Sequence, residues 1–332
     1  MKFAKIRTIL CGLALATALT ACGNTAGTPS GGNTGGTGNA EKPSITIVSK
    51  AIAGDFWIVA REGAEKAGAD LGYDVAWVGT DTENEGEKQL NQLEAAVNSK
   101  PAGIGFAAQN GAEEGAPRIL DKAKADGINV VAFAGPIAFS DVPITTVSSN
   151  NEKMGQMAAE NLSALIGGKG KIAIITNGTV GDAAIRRDSF VDWLKANAPD
   201  VEIVDIQNGE ADRAKSMDKA QAILQAHPDL AGFYGTSDNG TIAAGDEVAS
   251  KGLDVKVVGI DASPDLITML KSGDIDGVVT QNAFDIGYQT VKVLAEAHKG
   301  NMPASGFMEV PSVWATGDNL DDPAVKQALG QG

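Results

Sequence analysis

Residues 257–265 read Val257-Val258-Gly259-Ile260-Asp261-Ala262-Ser263-Pro264-Asp265. A short apolar run of this kind reads as a strand buried on both faces. Ser263-Pro264 is a helix start, with a hydroxyl to cap the first turn and a proline tolerated inside it. The unit is therefore strand, one carboxylate, helix, with Asp261 at the joint. In open parallel sheets, ligands bind beyond the carboxyl ends of strands. Asp261 is thus a binding candidate, with a plain turn cap as the alternative.

The same beat runs outward in both directions. Upstream, Ile45-Val48, Val75-Val78, Gly103-Ala107 and Asn129-Phe133 read as buried strands. Between them, Trp57, Ala60, Ala64, Ala67 and Leu71 recur at helical spacing, as do Leu90, Leu93 and Val97, then Ile119, Ala123 and Ala125. Leu71-Gly72-Tyr73-Asp74 and Ala125-Asp126-Gly127 punctuate helix-to-strand turns. The pattern then restarts. Lys171-Thr176, Val201-Ile206, Leu230-Tyr234, Val255-Ile260 and Gly277-Val279 read as strands. Glu152-Ile166, Asp182-Ala196, Arg213-Gln225, Asn239-Ser250 and Pro264-Leu270 read as helices. This is an α/β chain whose parallel sheets are covered on both faces. Two successive doubly wound units predict two similar lobes facing across a cleft; the alternative is one large sheet.

Ahead of this body lies a different kind of sequence. Lys2, Lys5 and Arg7 precede an apolar stretch from Ile9 to Leu19, too short to span a bilayer with ordinary flanks. Leu19-Thr20-Ala21-Cys22 then looks like a bacterial lipoprotein export signal, with cleavage before Cys22 and lipid on its thiol. A plain secretory signal with an incidental cysteine is the other reading. Residues 1–21 are thus expected to be the signal peptide. Residues 22–43 are rich in Gly, Asn, Thr and Ser and are expected to be a flexible linker with a reach of roughly 25 Å.

The chain has 332 residues and a net charge of −15, and loss of the leader's three cations takes that near −18. Such acidity opposes nucleic-acid binding, which needs basic surface. Cys11 lies in the leader and Cys22 would carry lipid, so no disulfide is expected in the body. About 290 residues after the linker exceed what one core usually holds.

Polar residues cluster after the strands. Lys50, Asp55 and the pair Phe56-Trp57 follow the first; Gln109 and Asn110 follow the third. In the second half, Ser237 and Asp238, then Asp261, then Gln281 and Asn282 stand in the same places. Arg186 and Arg187 sit in a helix, where a solvated face is the default for at least one. Carboxylates, amides, guanidinium groups and aromatic rings together suit a polyhydroxylated ligand, whose hydroxyls donate and accept while its C–H faces stack. Each residue also has a structural reading: Asp238 as a helix cap, one of Phe56 and Trp57 as core.

At these residues the chain resembles the ribose/galactose-type (type I) sugar-binding proteins of ABC transporters. The resemblance covers about Ser44 to Val313. It is carried by Asp55-Phe56-Trp57 with the Gly63-Ala64 helix, Ala226-His227-Pro228-Asp229, Ser237-Asp238, residues 258–265, and Thr280-Gln281 through Asp285-Ile286-Gly287. It implies two lobes joined by a three-strand hinge, with crossings near Val147-Asn150, Gln281-Asn282 and Glu309-Pro311. The lobes would then be 44–149 plus 282–310 and 150–281 plus 311–332. Phe56 and Trp57 fall on the family's stacking aromatics, Arg186 (or Arg187) on its helix arginine, Asp261 on its strand-end carboxylate and Gln281 on its crossover glutamine. Three departures stand out: Ala134-Gly135 replaces an Asp-Arg or Asp-Ser pair, Ser237 replaces the common Asn before Asp238, and Lys50 adds a cation.

The expected function is capture of a monosaccharide outside the cytoplasm and delivery to an ABC permease by hinge closure. The protein would be a monomer, lipid-anchored at the outer face of the cytoplasmic membrane or on the periplasmic side. Sugar alcohols, a furanone signal and nucleosides remain alternative ligands, and a sensor an alternative partner. No cofactor or metal is implied. An enzyme is disfavoured: the only histidines are His227 and His298, and no Walker loop or Gly-x-Ser-x-Gly occurs. Gly103-Ile104-Gly105-Phe106-Ala107-Ala108 fits a dinucleotide fingerprint on paper, but its glycines fall inside a strand.

Overall fold

A computed structural model describes residues 42–109, 111–304 and 306–329. The expectations for Cys22, for the leader and linker up to residue 41, and for Asn110 lie outside the described residues. The chain begins with β1 (Ser44–Val48), α1 (Asp55–Leu71), β2 (Asp74–Val78), α2 (Gly86–Asn98), β3 (Gly103–Phe106), α3 (Ala116–Ala125), β4 (Asn129–Phe133) and β5 (Thr146–Ser148). It continues through α4 (Asn151–Leu165), β6 (Gly170–Thr176), α5 (Gly181–Asn197), β7 (Val201–Asn208), α6 (Arg213–Ala226), β8 (Leu230–Gly235), α7 (Asp238–Lys251), β9 (Lys256–Ile260), α8 (Pro264–Ser272) and β10 (Gly277–Thr280). It closes with α9 (Ala283–His298), β11 (Phe307–Glu309), β12 (Val313–Ala315) and α10 (Pro323–Ala328).

These strands form two separate six-stranded sheets, ordered β2-β1-β3-β4-β5-β11 and β7-β6-β8-β9-β10-β12. The reading of one large sheet is thereby excluded, and both lobes share one strand order. The backbone passes between sheets after β5, after β10 and after β11. The last passage explains the one departure from parallel pairing, β10 with β12. Strand β11 runs parallel to β5 and so ends where the other strands of its sheet end. The chain therefore enters the second sheet from its carboxyl edge and must run backwards along β10.

Local chemistry places the boundaries. Gly72 ends α1 at φ 80°, the left-handed conformation that costs glycine least. Asn150 caps α4 by accepting the Lys153 amide at 3.1 Å, and Asn282 caps α9 by accepting the Asp285 amide at 3.1 Å. Helix α10 and strand β12 are additions to the sequence reading.

Each sheet is buried on both faces. In the first lobe, Ile45, Ile47, Val131 and Phe133 pack under α1 and α9, while Val48, Ile104, Phe106 and Val130 face α2 and α3. In the second, Ile172, Ile174, Tyr234 and Val258 face α4 and α5, and Ala173, Ile175, Phe233 and Val257 face α6, α7 and α8. Each fully buried side chain of this size contributes roughly 1.5–3 kcal/mol. Helices α1 and α9 touch backbone to backbone. A Cβ on Gly63 would collide with the Phe284 carbonyl oxygen, and one on Gly287 with that of Ala60. The strand glycines serve the same packing: a Cβ on Gly103 would lie 2.9 Å from Leu294 Cδ2 of α9. That accounts for Gly103-x-Gly105 without a nucleotide.

Candidate sugar-binding cleft

All three passages leave their sheet at the carboxyl end of a strand, so the loops beyond those ends lie beside the crossing segments. Asp261 follows β9 with φ +86°, a strained value for a non-glycine residue. Its amide donates to the Val279 carbonyl at 3.1 Å, which locks the loop to β10. Both carboxylate oxygens then receive donors: Gln281 Nε2 to Oδ1 at 2.5 Å and the Asp238 amide to Oδ2 at 3.3 Å. Asp238 opens α7, with Ser237 rather than itself in the capping position.

The Asp238 carboxyl is pushed up to about 6, first by burial, then by the charge of Asp261, with Asp55 and Glu83 of the first lobe adding to it. Its one opposing influence is the Asn239 amide, which donates to Oδ1 at 2.7 Å. A raised acid binds more protons folded than unfolded. Its stabilisation is therefore full below about pH 4 and is lost as pH rises through 6. Asp238→Asn should accordingly raise the melting temperature of the free protein at pH 7.5, through up to about 3 kcal/mol of added stability, and change little at pH 3.5. Melting curves of both proteins at the two pH values check this; an equal shift at both removes the electrostatic cause.

Arg186 is buried at 6% exposure. Its Nε donates to Asn151 Oδ1 at 2.7 Å and an Nη to the Thr236 carbonyl at 3.1 Å. Arg187, one residue on, turns to its neighbour Asp188 at 2.7 Å. The sequence leaves the two arginines open; the structure puts Arg186, and not Arg187, among the strand-end groups. Tyr234 lies near both Arg186 and Asp261, stacked on Phe190 with ring centroids 4.1 Å apart. Burial pushes its phenol upward, so the hydroxyl stays neutral.

On the first lobe, Lys50 Nζ lies 3.7 Å from Asp182 Oδ2 of the second lobe. Asp55 is exposed at the first turn of α1. Phe56 is half-buried and packs edge-on to Trp57 at 4.8 Å. Trp57 itself is 6% exposed, edge-on to Phe133, and donates Nε1 to Glu83 Oε1 at 2.7 Å. Of the pair, Trp57 is the core member, and Phe56 is the more available ring. Gln109 is read from sequence as ligand-facing, yet its amide is engaged by protein. Nε2 donates to the Lys50 carbonyl, to Thr80 Oγ1 at 2.5 Å and to the Thr82 carbonyl at 3.1 Å, while Oε1 accepts the Glu85 amide at 2.8 Å. It ties the loops after β1 and β2 together. Asn282 is likewise committed to capping α9.

The sequence reading omits Asn151, Asp182, Glu83 and Thr236. The Asn150-Asn151 doublet carries a usable signal: one amide is needed for the cap, leaving the other for another task. The hydroxyls of Ser149, Tyr234, Ser237 and Thr280 are buried with no hydrogen-bond partner among the described residues. All four sit at or near strand carboxyl ends. Buried hydroxyls ordinarily find partners. Among the described residues, no three His, Cys, Asp or Glu side chains gather closely enough to hold a metal ion.

The periplasmic binding protein domain model matches residues 45–302. The chain is 27% identical over 263 residues to the D-allose-binding periplasmic protein of Escherichia coli, covering 76% of this chain and 84% of that protein. It is 25% identical over 251 residues to the ribose import binding protein of Bacillus subtilis, covering 75% and 80%. Among solved structures, a carbohydrate transporter solute-binding protein of Agrobacterium radiobacter in complex with D-arabinose superposes with a TM-score of 0.78, at 25% identity and with 87% and 99% coverage. A solute-binding protein of Agrobacterium vitis with bound α-D-tagatopyranose gives 0.78 at 26%, again covering 87% and 99%. Members of this family work outside the cytoplasm and bind solutes without transforming them. With its residue 45–302 match, its paired doubly wound sheets and its strand-end polar cluster, the chain belongs to the periplasmic binding protein family, in the two-lobed type I form of ABC-transporter sugar-binding proteins.

Proposed function

We propose that this protein captures a single small sugar in the cleft between its lobes and hands it to an ABC importer permease. The observation that carries the reading is the convergence of Asp238, Asp261, Gln281 and Arg186 on one lobe's strand ends, opposite Phe56 on the other. A carboxylate pair and a guanidinium group can each engage adjacent hydroxyls, and Phe56 offers a face for the ring's C–H side. A micromolar affinity needs about −8 kcal/mol. Three or four charge-assisted hydrogen bonds at about 1.5–3 kcal/mol each cover that. Ligand touching both lobes favours the closed arrangement by its differential affinity. We take the lobes as 44–149 plus 282–310 and 150–281 plus 311–332, and the protein as a monomer. It would be held at the membrane by lipid on Cys22, at about 0.8 kcal/mol per buried methylene; loss of acyl labelling in Cys22→Ser checks the anchor.

A thermal-shift screen over free pentoses, hexoses, ketoses, sugar alcohols, furanones and nucleosides tests the ligand class. A ligand present at 100 times its Kd stabilises by about 2.7 kcal/mol, so a monosaccharide should raise the midpoint by several degrees. A response confined to nucleosides or polyols replaces the sugar reading, and incubation must return the ligand unchanged in mass.

A further inference from the structure

Arg186 is held from behind by a polar chain that leaves its own lobe. Its Nε donates to Asn151 Oδ1 at 2.7 Å, which orients that amide. Asn151 Nδ2 in turn donates to Asp182 Oδ1 at 2.9 Å. The other oxygen of Asp182 lies 3.7 Å from Lys50 Nζ, beyond β1 in the first lobe. First-lobe backbone abuts the same carboxylate, since a Cβ on Gly135 would sit 3.2 Å from Oδ2. The side chains of Lys50 and Asp182 are 22% and 25% exposed, so the pair is largely shielded and attracts more strongly than in water.

We propose that Lys50 and Asp182 form a closure latch wired through Asn151 to Arg186. The pair is made when the lobes meet and broken when they part. Asp182 and Asn151 are positioning residues: they hold the guanidinium while the first lobe holds Asp182. Lys50 then acts by retaining the closed state, whatever the guest. This rests on the reading that the lobes close around a ligand. Two properties follow from the geometry. The latch forms after encounter, so it governs release rather than capture. Its two ends also cannot contribute independently, so losses at 50 and 182 are non-additive.

The test uses Lys50→Met, Asp182→Ala and the double variant, with D-ribose and D-allose as probes in stopped-flow fluorescence. Lys50→Met should speed release by about 2- to 5-fold, the upper range of an ion pair that keeps some exposure, with the association rate unchanged and the same factor for both sugars. Asp182→Ala should speed release further, because Asn151 loses its orienting acceptor as well. Adding Lys50→Met to Asp182→Ala should change nothing more. Multiplying losses, a slowed association, or a Lys50 effect that differs between the sugars would overturn the latch and make Lys50 a ligand contact. Hydrogen exchange on the sugar-saturated proteins is a second readout: each single variant should speed exchange around residues 50–56 and 177–186 alike. Exchange unchanged in both regions overturns the latch. If neither sugar binds the unaltered protein, the sugar reading fails, and the ligand that the thermal-shift screen identifies replaces the sugars as probe for the latch.

Discussion

Asp261→Gly should weaken sugar binding at least 100-fold and yet leave the free protein as stable as before, or more so. The carboxylate anchors the second lobe's cluster, with Gln281 and the Asp238 amide aimed at its two oxygens. Charge-assisted hydrogen bonds to two ligand hydroxyls contribute about 3–5 kcal/mol together, or about two to four orders of magnitude in affinity. Stability moves the other way. Asp261 sits at φ +86°, a conformation costing a non-glycine residue about 1–3 kcal/mol. Glycine takes it without strain, at about 0.5–1 kcal/mol of extra chain entropy. The change also removes the charge that, after burial, most raises Asp238. Calorimetric titration beside a melting curve decides the matter. Retained tight binding would displace Asp261 from the site, and a large drop in melting temperature would mean the carboxylate mainly holds the loop.

Gly287→Ala should destabilise the protein by about 3 kcal/mol, lowering the melting temperature by about 6–12 °C. In an exposed helix the same change would stabilise by up to about 1 kcal/mol, so the sign itself is informative. The alanine methyl would run into the Ala60 carbonyl oxygen of α1. That obstacle is backbone, which cannot rotate aside, so α1 and α9 must separate and uncover the core around Ala64, Ile286 and Ile47. Gly300→Ala is the control: its φ is +91°, and a Cβ there meets nothing within 4 Å, so only the conformational cost remains. Equal effects at 287 and 300 would mean the helices do not pack so closely.

Much of this architecture is written in local sequence. Buried parallel strands such as Asn129–Phe133 are unbroken apolar runs, and their ends agree with the structure to within a residue or two. Strand β12 and helix α10 carry no such signal, because three or six residues are too few to show a period. The site divides along the same line. Strand ends point to Asp261, Asp238 and Gln281, since position in a βα unit is local. Arg186 and Arg187 are adjacent, identical in chemistry and separable only by which one α4 covers. Gln109 and Trp57 find protein partners at Thr80 and Glu83, and such pairings between distant loops leave no trace in spacing. Asn151 and Asp182 escape notice for that reason too.

The three passages between sheets have a kinetic consequence. Helix α9 covers one face of the first sheet, and β12 completes the second, yet both lie in the last 50 residues of the 332-residue chain. Neither half can seal its interior while the ribosome is still short of that tail. The contacts that finish each half span most of the polypeptide, which is the condition for slow, late consolidation. A nascent chain of this design stays loose until residues 283–315 have emerged, and removing that segment would cripple both halves at once.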